Sequence, residues 1–77
     1  MDDPKRERFL RVASARTEKI LNLTRLLGNC ANTSNYSYTE EEVNHIFKSI
    51  REELDIQETK FRMKLKEDSG KRKRFTL

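Results

Sequence analysis

The chain has 77 residues, 39% of them charged and 34% hydrophobic, with a net charge of +4. That length allows one small domain with a thin core, and the composition leans toward disorder unless the apolar residues are placed periodically. No apolar segment approaches the ~20 residues that a bilayer crossing needs, and no signal-peptide core follows the N-terminus. A lone Cys30 with a lone His45 makes neither an internal disulfide nor a zinc set. The expectation is a cytoplasmic protein with no membrane partner, metal or cofactor.

The first element starts at Asp3-Pro4, an N-cap residue followed by proline at the first helical position. Phe9, Ala13, Ile20, Leu23 and Leu27 then recur with coiled-coil spacing, and Arg16 fills the missing slot. Gly28 can adopt the left-handed conformation that closes a helix, so the spacing predicts a helix over 4–27.

Residues 28–39 follow without a single charge, and hold three of the five Asn, both Tyr and the only Cys. Two to five residues suffice to join two helices. This bend is longer and chemically richer than connection requires.

The second helix has a sharper start. Thr39 and Glu42 have the spacing of a capping box, and Tyr38 with Val43 that of a hydrophobic staple. Glu40, Glu41 and Glu42 also oppose the positive end of the helix dipole. Val43, Phe47, Ile50, Leu54, Gln57 and Phe61 repeat the rhythm of the first helix. The pattern fades after Leu65, and Ser69-Gly70 reads as the stop. The expected organisation is a helical hairpin over 1–70 (helix 4–27, bend 28–39, helix 40–68) and a disordered basic tail over 71–77.

Charge divides the second half of the chain. Residues 39–59 carry seven acids against two bases, and residues 60–77 carry eight bases against two acids.

The fold class is therefore all-α, an antiparallel two-helix hairpin of coiled-coil character. Folding at the bend sets Leu27 near Val43, Leu23 near Phe47 and Ile20 near Ile50. Farther out, Arg16 falls near Leu54 and can reach Glu53 or Asp55 to specify register. Leu10, Leu21, Leu26, Ile46 and Ile56 lie off the seam. They either widen one intramolecular face or pack against a second hairpin as a homodimeric four-helix bundle, and the residues leave both open.

Two surfaces are candidates for binding. In the bend, Asn29, Asn32, Asn35 and Tyr36 combine local hydrogen bonding with an aromatic ring bearing a hydroxyl, a composition suited to a protein partner. The same residues also suit a self-packed cap, with Cys30 as a small buried hydrophobe. At the termini, Arg8, Arg11, Arg62, Lys64, Lys71, Arg72, Lys73 and Arg74 cluster if the helices are antiparallel, and clustered bases neutralise nucleic-acid phosphates. Lysines near a helix C-terminus serve the dipole equally well, and no groove-reading helix is evident. Catalysis has no support: Cys30 lacks an evident base and orienting group, and Glu52-Glu53 lie on a solvated face.

The runs Leu26-Leu27-Gly28-Asn29-Cys30-Ala31-Asn32 and Ser34-Asn35-Tyr36-Ser37-Tyr38-Thr39-Glu40-Glu41-Glu42-Val43 resemble those of a family of short bacterial and mobile-element proteins. The similarity extends over about residues 5–62 and implies a helix, a Gly-Asn bend with an Asn-Tyr-x-Tyr-Thr run, and a second charged helix. It brings no activity with it. Where relatives favour a basic residue inside Asn-x-Ser-Asn, this chain has Asn32-Thr33-Ser34-Asn35. The residues together lead to a small noncatalytic protein-interaction module, regulatory or accessory, a class that a phage- or plasmid-encoded inhibitor of a host factor fits. The alternative is a nucleic-acid-associated accessory protein using the basic end.

Overall fold

The computed structural model describes the backbone of residues 3–73 and the side chains of residues 3–68. The protein is all-α: α1 (Pro4–Asn29) is followed by α2 (Glu40–Lys73), with no strand among the described residues. The chain divides between Ser37 and Tyr38 into two compact units. The bend is thereby split, most of it belonging with α1 and its last two residues with the start of α2.

The start of α1 is as the sequence implies. Asp3 is extended (φ −87°, ψ 112°), its side chain accepts the Lys5 N–H at 3.0 Å, and Pro4 occupies the first turn. The Asp3 carbonyl accepts the Glu7 N–H at 3.1 Å, the first bond of the helical ladder. Farther along, the hydroxyls of Thr17 and Thr24 donate to the carbonyls of Ala13 and Ile20 at 2.8 and 2.7 Å. Those hydroxyls are satisfied mid-helix by sharing the carbonyl four residues earlier rather than by drawing the chain into a turn.

The end of α1 differs from expectation. The helix continues through Gly28 and Asn29, and no described glycine or other residue has a positive φ. The C-cap is Cys30, still right-handed at φ −71°, ψ −6°. Three successive bonds, from the N–H groups of Cys30, Ala31 and Asn32 to the carbonyls of Leu27, Gly28 and Asn29, tighten the chain to i, i+3 pairing. Carbonyls orphaned by the helix end are satisfied this way without a left-handed residue. Gly28 is thus an ordinary helical position carrying the entropic cost of glycine.

For α2 the capping box is realised in both directions. The Thr39 hydroxyl accepts the Glu42 N–H at 3.1 Å, and the Glu42 carboxylate accepts the Thr39 N–H at 2.8 Å. The Thr39 carbonyl takes the Val43 N–H at 3.1 Å. Pairs within the helix then line its polar surface: Lys48 with Glu52 at 3.9 Å, Glu58 with Arg62 at 2.8 Å, and Lys64 with Glu67 at 3.6 Å. Gln57 donates to Glu53 at 2.7 Å, and the Arg51 guanidinium lies 5.9 Å from the centre of the Phe47 ring.

The stop expected at Ser69-Gly70 is not used, because α2 runs on to Lys73. A single helical glycine costs only about 1 kcal/mol, and Lys71 to Lys73 are good helix formers whose charge suits the C-terminal end of the dipole. The first three residues of the expected tail are therefore helical. Arg74 to Leu77, the rest of that tail, lie outside the described residues.

Burial completes the description of each helix. Among the described residues none is fully buried. Of these, only Val12, Ala13 and Leu27 in α1 and Val43 and Phe47 in the described part of α2 are half-buried. The remaining large apolar residues of both stripes are exposed.

Two stability outcomes follow from the helix ends. A Cβ added at Gly28 meets nothing within 4 Å. Gly28→Ala should therefore stabilise α1 by about 0.5–1 kcal/mol, read as a higher helical signal and midpoint in circular dichroism. A left-handed Gly28 would give a loss instead. Thr39→Ala should destabilise α2 by about 1 kcal/mol, and amide exchange at Glu42 should accelerate as its cap is lost.

Candidate functional site

The bend is built around Asn32. Its side-chain oxygen accepts the Ser34 N–H at 3.0 Å, and its carbonyl accepts both Asn35 N–H at 3.2 Å and Tyr36 N–H at 3.0 Å. Three donors converging on one residue fold 32–36 into a tight turn, the local competence that makes asparagine common in bends. Asn32, expected as a binding residue, has its side-chain oxygen engaged in holding this turn. Asn29, also expected to bind, is the last residue of α1 and accepts the Asn32 N–H at 3.3 Å.

Asn35 and Tyr36 are placed differently. Both are exposed at the end of the turn, with Tyr36 at 52% exposure. Their backbone N–H groups are spent on Asn32, so the turn aims their side chains while leaving the side chains outside its own hydrogen bonding. A side chain presented from a fixed backbone loses less freedom on binding than one on a loose loop.

Cys30 is not the buried hydrophobe that a self-packed cap requires. Its thiol is exposed, and its Sγ lies 4.0 Å from the Leu26 carbonyl, one turn back. His45 is also exposed on α2, with its backbone carbonyl accepting the Ser49 hydroxyl at 2.8 Å. No group of three His, Cys, Asp or Glu side chains comes together among the described residues. No helix among them is long and apolar enough to cross a membrane.

The basic candidates fall on both helices. Arg8 and Arg11 are exposed on the first half of α1. Arg62 donates through Nε and Nη2 to Glu58 at 3.2 and 2.8 Å, and Lys64 pairs with Glu67. Lys71, Arg72 and Lys73 are in the backbone of α2, their side chains outside the described residues, and Arg74 lies outside them altogether. Exposed pairs such as these bind weakly and yield to a better partner, so they neither make nor block a phosphate surface.

The larger surface is apolar. On α1, Phe9, Ile20 and Leu23 of the stripe are exposed, Leu23 to 64%. On α2, Ile50, Leu54 and Phe61 are exposed, to 38%, 51% and 58%. Sequence periodicity located these residues as the seam positions of the two helices. Val12, half-buried beside Ala13, was not singled out, because it falls off the heptad positions. Comparison with known proteins adds no relative: no family model matches the chain, and neither does a curated protein or a solved structure.

The two kinds of bend residue should separate by substitution. Asn32→Ala removes an acceptor of the turn and should cost about 1 kcal/mol, with faster exchange of the Ser34 amide. Tyr36→Ala should leave the folding stability within about 0.5 kcal/mol of wild type, as expected of an exposed side chain.

Proposed function

We propose that this protein is a small noncatalytic protein-interaction module with a regulatory or accessory role. The observation that carries this reading is the exposure of the ordered apolar stripes on both helices. Scattered exposed leucines are normal, but a periodic series along a helix is a surface built to be covered. Fully burying one such side chain is worth about 1.5–3 kcal/mol, and most of a helix's stability in a protein comes from packing its apolar face. Cover for the stripes is therefore a condition for stable helices, and a binding partner can supply it.

The bend adds the specific element. Tyr36 and Asn35 stand at the tip of a turn fixed by Asn32, and an aromatic ring with a hydroxyl is a common anchor in protein interfaces. Hydrophobic stripes provide area, and the bend provides selectivity. The resemblance of this bend to that of short bacterial and mobile-element proteins is compatible with an inhibitor of a host factor.

Affinity capture from native lysate, with and without nuclease, tests the reading. A protein captured in both conditions, lost with Tyr36→Ala or Asn35→Ala and retained on removing residues 70–77, is the expected result. Capture that is nuclease-sensitive and lost with residues 70–77 would transfer the function to the basic end, as nucleic-acid binding weakened steeply by salt.

A further inference from the structure

The α2 stripe has an internal order that the interaction reading does not use. Val43, Phe47, Ile50, Leu54, Gln57 and Phe61 alternate steps of four and three, and one more step at either end reaches Glu40 and Lys64. The set is mirrored about Glu52: 40 with 64, 43 with 61, 47 with 57, and 50 with 54. Residues that mirror each other share a layer when two copies of a helix lie antiparallel. The outermost layers are then an acid against a base, and the inner ones are apolar or hold Gln57.

Charge gives this pairing its direction. The first turn of α2 is acidic at Glu40, Glu41 and Glu42, whereas Lys60, Arg62, Lys64 and Lys66 make its later part basic. An antiparallel copy sets each acidic start beside a basic stretch, and a parallel copy sets like against like. The seam of α1 offers no such match. It carries Arg16 near its middle and Arg6 one step before Phe9, and no acid.

The surface has the matching shape. Gln57, Lys60, Phe61 and Lys64 line an open, mainly apolar depression on α2. Residues at i, i+3, i+4 and i+7 form the hole that receives one side chain of a facing helix. In the mirrored register that side chain is Val43 of the second copy. Gln57 enters the seam with its amide already donating to Glu53 at 2.7 Å, so it is not left unpaired. Lys64 must exchange Glu67, 3.6 Å away on an exposed surface, for Glu40 of the second copy. The axis also brings Arg51 and Glu53 beside their own copies, on flanks where salt screens the repulsion.

From this pattern we infer that α2 pairs antiparallel with α2 of a second copy of this chain, about a two-fold axis near Glu52. The inference rests on the reading of the stripes as interaction surfaces and names the partner of one of them. Each copy uses the same patch, so the contact closes on itself and stops at a dimer.

Sedimentation equilibrium of the full chain over a range of concentrations tests it, with circular dichroism to follow helicity. Wild type should show a concentration-dependent dimer. Lys64→Glu sets two acids together at both ends and should raise the dimer Kd about tenfold or more, and Glu40→Lys combined with Lys64→Glu should restore it to within about threefold. Spin labels in a Cys30→Ser background report direction. Labels at Glu52→Cys should lie within about 20 Å of each other, and labels at Glu41→Cys about 33 Å apart along the axis, from 1.5 Å per residue. A chain that stays monomeric with α2 helical overturns the pairing, its stripe being covered by α1 or by a foreign protein. A double swap that fails to restore the dimer, or close labels at Glu41→Cys, overturns it too. None of these results bears on the capture of a foreign protein through Tyr36, so the two readings fail separately.

Discussion

A helix of this chain can satisfy its backbone alone but cannot cover its apolar stripe alone, and the rest of the molecule depends on that mismatch. Ladder bonds, caps and ion pairs between neighbours along the chain are all local, and they complete α1 and α2 as hydrogen-bonded objects. The hydrophobic term is not local. It requires a second surface: Phe9, Ile20, Leu23, Ile50, Leu54 and Phe61 are exposed, and Leu27, Val43 and Phe47 are only half-buried. Helices built this way are adapted to association because their main source of stability lies outside themselves.

Local chemistry is correspondingly strong where the chain must start or turn. Asp3 with Pro4 and Thr39 with Glu42 satisfy amides that would otherwise be orphaned at the two helix starts. Asn32 does the same for the turn between them. These devices make the bend a shaped object, and the shape leaves Asn35 and Tyr36 presented at its end. A structural role for one asparagine and a binding role for its neighbour are compatible, since the first positions the second.

The polar surface of α2 is organised by the same short-range logic. Glu58 precedes Arg62 by four residues, the order that also suits the dipole. Such pairs are exposed and weak, so they add solubility and helicity without committing the charges. An acidic start and a basic end remain available to a partner of complementary charge. Electrostatics of this kind selects orientation more than it supplies affinity.

Much of the fold was legible because its determinants sit within four residues of one another. Cap spacing and the alternation of three and four identified both helix starts and all the stripe residues. The ends were less legible, since glycine permits a left-handed stop without requiring one. At Gly28 the i, i+3 bonds of Cys30, Ala31 and Asn32 made that stop unnecessary, and at Gly70 the following lysines carried the helix on. In the candidate site, composition alone could not distinguish Asn32 from Asn35, because the difference lies in where the carbonyl and side-chain oxygens point. The sequence by itself determined the all-α class, the helix starts and the periodic stripes, all consequences of short-range hydrogen bonding and 3.6-residue geometry. Only the three-dimensional structure decided that Asn32 holds the turn and that Tyr36 and Cys30 are exposed, because these depend on where each group points in space.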